Sequence, residues 1–110
     1  MFGNKEQKLE KMIAKNNVSG IIGLITSKDP ALSLKAVESL GKVTGDDAYN
    51  TLITLLRSPR ADVRAAAATS LANMGDAKAQ AHISHMLPDE KDAVVIEAMK
   101  NALSKLHTKD

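Results

Sequence analysis

The chain has 110 residues, of which 44% are hydrophobic, 25% charged and 2% aromatic, with a net charge of +2 and no cysteine. That length suits a single domain over 1–110 with a core of its own. The small net charge argues against nucleic acid or an anionic membrane surface as partner, and the lack of cysteine excludes disulfide and thiolate chemistry while fitting a cytoplasmic location.

Phe2 and Tyr49 are the only aromatic residues, so Ala, Leu, Ile, Val and Met must fill the core. That mixture favours closely packed helices over sheets. The opening Met1-Phe2-Gly3-Asn4-Lys5 has no apolar run behind it, which argues against a signal peptide. A first helix is predicted over 4–15, with Leu9, Met12 and Ile13 on a surface otherwise rich in lysine and glutamate, as expected of a polar end cap. A second is predicted over 17–27. It holds the most apolar stretch, Val18 to Ile25, which is too short to span a bilayer. Gly20 and Gly23 within it are no phosphate loop, because no strand precedes them and no Gly-Lys-Ser/Thr follows. They are expected to thin the helix for close contact.

Asp29-Pro30 offers an N-cap and a first-turn proline to a helix over 30–43, with Leu32, Ala36, Val37, Leu40 and Val43 at helical spacing. Gly45-Asp46-Asp47 breaks that helix and starts another over 46–57, where the carboxylates meet the positive end of the new dipole. Ser58-Pro59 ends it. The next helix, 60–74, carries Val63, Ala67, Leu71 and Met74, and its run Ala65 to Ala68 removes bulk so that neighbours approach closely. Gly75-Asp76 leads to a helix over 77–87 closed by Leu87-Pro88, and a last helix is predicted over 91–107. This last one carries Val94, Val95, Ile96, Met99, Leu103 and Leu106, an apolar arc wider than one neighbour needs. Either the arc contacts another chain, such as a second copy, or the helix folds over both preceding helices.

The elements recur. Ser39-Leu40 and Ser70-Leu71 lie 31 residues apart, as do Leu32, Ala36 and Val43 from Val63, Ala67 and Met74. Ala48, Leu52, Leu55 and Leu56 fall on Ala79, Ile83, Met86 and Leu87 at the same offset, and Ile21, Leu24 and Ile25 precede Leu52, Leu55 and Leu56 by it. Val63, Ala67 and Leu71 reach Val95, Met99 and Leu103 at 32. Core-type positions recur while the residues between them vary, which is the pattern of a structural repeat. Each unit reads as a first-type and a second-type helix: 4–27, 30–57, 60–87 and a half-unit 91–107. One helical pair cannot bury both faces, so the units must stack. Leu40, Leu52, Leu55, Leu56, Val63, Ala67, Leu71 and Ile83 are expected in the core.

Asp62-Val63-Arg64, the alanines, Ser70-Leu71 and Gly75-Asp76 before a second helix resemble the short HEAT-like repeat, the type also found in phycobilisome lyases. Lys91-Asp92-Ala93-Val94-Val95, Ala98 and Ala102-Leu103 form a weaker copy without the arginine, and Leu32-Ser33 stands where Val63-Arg64 would be. Tetratricopeptide and ankyrin signatures are absent. The resemblance implies an all-α alpha-alpha superhelix, a short right-handed solenoid of about three and a half helical hairpins. It further implies a curved stack with second-type helices on the concave side, and work in protein–protein contact. An accessory subunit of an enzyme, such as a phycobilisome-lyase-like complex, is the alternative it leaves open.

No nucleophile, base and orienting group stand out as a set, so catalysis is not expected and no cofactor is implied. His82 and His85, three apart on one helix, have the spacing to share a metal, but no third ligand or His-Glu-x-x-His pattern accompanies them, so no metal is expected. Asp46-Asp47, and Asp89, Glu90 and Asp92, read as helix-start residues, not paired catalytic carboxylates. Arg57, Arg60 and Arg64 are the only arginines and cluster at one turn, with the chemistry to hold a phosphate or an acidic partner. The competing reading pairs Arg64 with Asp62 or with a carboxylate of a neighbouring unit.

The partner-binding surface is expected on the second-type helices, opposite their apolar stripe. In the central unit that side carries Asp47, Asn50, Thr51 and Thr54, with Tyr49 at its edge. A shift of 31 adds Lys78, Ala81, His82 and His85 in one direction, and Asn16, Ser19, Gly20 and Gly23 in the other. Stacked units should align these into one polar strip that takes another protein.

Overall fold

A computed structural model describes residues 4–107; Met1-Phe2-Gly3, weighed above for a leader, lies outside the described residues. Among the described residues seven α-helices follow one another without a strand: α1 Lys5–Ala14, α2 Val18–Ile25, α3 Pro30–Leu40, α4 Asp46–Leu55, α5 Ala61–Met74, α6 Ala79–Met86 and α7 Ala93–His107. A single 3₁₀ turn, Leu87–Asp89, joins the last two.

Local chemistry sets most of the boundaries. Asn4, Asn17 and Asp29 cap α1, α2 and α3 by accepting backbone N–H bonds two or three residues ahead, and Pro30 fills the first turn of α3. Asp92 does the same for α7, accepting from Val94 and Val95 at 2.9 and 3.2 Å. Gly45 and Gly75 take positive φ, 121° and 79°, so each reverses the chain where a β-carbon would be strained. α4 has no side-chain cap at Gly45; Asp46 and Asp47 lie in its first turn, where their charge favours the dipole. Leu87-Pro88 does not stop its helix outright. Leu87 keeps helical angles and the chain tightens into the 3₁₀ turn, which places Glu90 beside α5.

The helices form two layers. α1, α3, α5 and α7 pack in succession in one, and α2, α4 and α6 lie across them in the other. Each second-type helix packs more extensively on the first-type helix that follows it than on the one before. The domain measures 43 × 29 × 19 Å. Leu40, Leu52, Leu56, Val63, Ala67, Leu71 and Ile83 are buried as expected, while Leu55 is only half-buried. Burial of each leucine, isoleucine or valine side chain among them contributes roughly 1.5–3 kcal/mol before entropy is counted.

Two expectations about close packing need correction. Gly23 has nothing within 4 Å of where a β-carbon would stand, and at Gly20 that carbon would meet only the capping side chain of Asn17. Neither glycine thins a helix–helix contact. The close approach is at Gly41 instead, where an added β-carbon would sit 2.9 Å from the Ser70 backbone. Ala66, Ala67 and Ala68 are buried on the same stretch of α5, as the alanine run implied, and the Ser70 hydroxyl donates to the Val37 carbonyl at 3.2 Å.

The arc on α7 is divided between α5 and α6. Val95, Met99, Ala102 and Leu106 are buried, Ile96 and Leu103 half-buried, and only Val94 stands out, at 72% exposure. No helix among the described residues is long and apolar enough to cross a membrane.

Candidate binding surface

Helical periodicity points the apolar side of α4 and α6 at the first layer, burying Ala48, Leu52, Ala79 and Ile83. The opposite side is therefore free. Asp47, Asn50, Thr54, Lys78, Ala81, His82 and His85 are exposed there, and Tyr49 and Thr51 are half-buried.

The α2 part of the strip is less available. Asn16, at φ 52°, accepts from the Thr44 N–H at 2.9 Å and donates to the Thr44 carbonyl at 3.2 Å, tying the α1–α2 turn to the α3–α4 turn. Gly20 lies under the Asn17 cap; Ser19 and Gly23 are exposed, as is Asn16 despite its bonds to Thr44.

Spacing across the layer is uneven. α2 and α4 pack together, whereas α4 and α6 make little backbone contact. Between the latter lies a cleft of about 300 Å³, lined by Ile53, Leu56, Ala81 and Met86 and bordered by Arg57, His82 and His85. Toward the helix N-termini, the Lys78 ammonium lies 5.3 Å from the centre of the Tyr49 ring and bridges the gap. Burial, followed by the charge of Asp76, raises the Tyr49 hydroxyl pKa, so the ring faces Lys78 as neutral phenol.

Arg57, Ile53 and Met86 were not placed on the strip by sequence reasoning, although a signal existed. Asn50, Thr54 and Arg57 continue one helical stripe, as do His82 and Met86. Arg57 was instead grouped with Arg60 and Arg64 through nearness along the chain. The structure separates them. Arg60 forks onto its near neighbour Asp62 at 2.8 and 3.1 Å. Arg64 grips Glu90, two bonds of 2.9 and 3.0 Å, and also donates to the Ser58 carbonyl. The neighbouring-unit carboxylate is thus its partner, and Asp62 is not. Glu90 is only 6% exposed; the Arg64 bonds outweigh its burial and hold its carboxyl below the usual range. Among the described residues Arg57 alone of the three has no carboxylate.

A second hollow lies in the first layer between α1 and α3, over Ala31 and Leu32. Its charged groups satisfy one another: Lys5 bonds Asp29 at 2.7 Å and Lys35 bonds Glu6 at 2.6 Å. Both carboxyl pKa values are lowered, foremost by those lysine bonds. A charged partner there would have to displace existing pairs, which the α4–α6 cleft does not require. Among the described residues no three His, Asp or Glu side chains gather as a metal would need.

A family model described as HEAT repeats matches residues 18–104, most of the chain. No curated protein matches it.

Proposed function

The chain belongs to the HEAT-repeat family, and on that premise we propose that it is a non-catalytic adaptor that binds a segment of another protein across its second-type helices. Repeats of this family commonly serve as protein-interaction scaffolds. The observation that carries the reading is the exposed run Asp47, Asn50, Thr54, Lys78, His82 and His85, on helices whose other side is committed to the core. Half-buried Tyr49 and Thr51 complete the surface; tyrosine adds rigid contact area with one hydrogen-bonding group. The place of work in this reading is the cytoplasm, in keeping with a chain that has no cysteine.

The test is a double change, Thr51→Arg with His82→Glu, in pull-down from the source cell with mass spectrometry. Both positions lie outside the buried core, so the helical circular dichroism spectrum and melting temperature should hold while partner capture is lost. Unchanged capture by the folded double variant refutes the strip. A chromophore-bearing protein as the recurrent partner would replace the adaptor with the accessory-subunit reading.

A further inference from the structure

We propose that the cleft between α4 and α6 takes an acidic protein segment, seating one apolar side chain between the helices and a flanking carboxylate on Arg57. This rests on the adaptor reading and narrows it to a partner chemistry and a place on the strip.

Three observations converge. The floor, formed by Ile53, Ala81 and Met86, is apolar, and about 300 Å³ is room enough for one leucine- or phenylalanine-sized group. Met86 is unbranched and adapts its shape to what enters. The border is cationic or proton-donating. Arg57 is exposed and, among the described residues, its side chain is unpaired, and His82 and His85 each offer a ring N–H even when neutral.

Of the nearby acids, Glu90 is taken by Arg64 and Asp92 caps the start of α7, while Asp89 and Lys91, exposed and of opposite charge, line the same hollow as Arg57. At the far end the Tyr49–Lys78 pair spans the two helices, so an entering segment meets the cleft from the Arg57 end. An unpaired guanidinium is built for two parallel bonds to a carboxylate, and here it has none to give up first. The opposite charge on the segment would set two cations against each other beside an apolar pocket.

The test uses the whole chain and fluorescein-labelled peptides with one Leu or Phe flanked by Glu, alongside the same peptides with Lys for Glu. Fluorescence anisotropy should show binding of the Glu series and not of the Lys series. Arg57→Glu should weaken it at least about tenfold, the scale of one lost charge-assisted pair. Arg57→Lys should retain part of the affinity. Raising sodium chloride from about 0.05 to about 0.5 M should weaken binding too, because an exposed pair is screened. Among the described residues the Arg57 side chain has no hydrogen-bond or ion-pair partner, so circular dichroism melting of the variants should match the parent. No binding of the Glu series, equal binding of both series, or Glu-series affinity unchanged by Arg57→Glu overturns the proposal. If Arg57→Glu leaves cellular partner capture intact while the Thr51→Arg and His82→Glu variant abolishes it, the adaptor reading stands and this inference alone fails.

Discussion

The seams between α3 and α5 and between α4 and α6 join the same two repeats, one layer apart, and are built in opposite ways. In the first, Gly41 meets the Ser70 backbone, alanines fill α5, and Leu40 and Leu71 are fully buried. In the second, Met86, Arg57 and two histidines leave a cleft, and a cation over a ring is the bridge. Small side chains let helix backbones close on each other; larger amphipathic ones hold them apart while their polar ends stay in water. The closer backbone approach is therefore in the first-type layer, and the open cleft is in the second.

The strongest way to break this contrast is Leu71→Asp. An unpaired carboxylate would enter a site with no exposure, and the cost should exceed about 4 kcal/mol, comparable with the whole stability of a small domain. Loss of the helical circular dichroism signal is expected, and a folded variant would deny that the seam carries the fold. Gly41→Val is the next step down. Its β-carbon meets main chain, which yields less readily than a side chain, so about 1–3 kcal/mol should be lost in urea unfolding. The control Gly23→Ala, where the space is open and the helix gains propensity, should stabilise slightly.

Glu90→Ala addresses the join between units, and should cost about 2 kcal/mol by stripping two charge-assisted bonds from Arg64. The pH dependence has a definite sign. The folded Glu90 carboxyl lies below its ordinary value, so its contribution is complete above that value and disappears as pH falls through the folded one. Urea midpoints measured down an acid series should fall less steeply for the alanine variant than for the parent. At the mild end, Thr54→Ala and His85→Ala in the open layer should change stability by no more than about 0.5 kcal/mol. A larger loss in thermal melting would mean that the cleft helps hold the fold. Light scattering sharpens the contrast from outside. Among the described residues Val94 is the one large apolar side chain in the open, far short of the roughly 800 Å² that each partner gives a stable interface, so a monomer is expected across a concentration series.

The helices, their order and nearly all the core positions were legible in the sequence, because caps, prolines and periodicity act within a few residues of one another. Val63, Ala67 and Leu71 had to face inward on any helix they formed, and Asp29-Pro30 had to start one. Leu55 was misjudged because the width of a buried stripe depends on how near the next helix lies. The partner of Arg64 stands 26 residues along the chain, Gly41 rather than Gly20 or Gly23 is the glycine under contact, and the α7 arc is shared by two helices. Each of these depends on distances between elements, which pattern alone does not contain. The polar strip follows from period and repeat. The gap between α4 and α6, which places Arg57 beside His82 and His85, was decided only when side chains of unlike size met across the stacked layers.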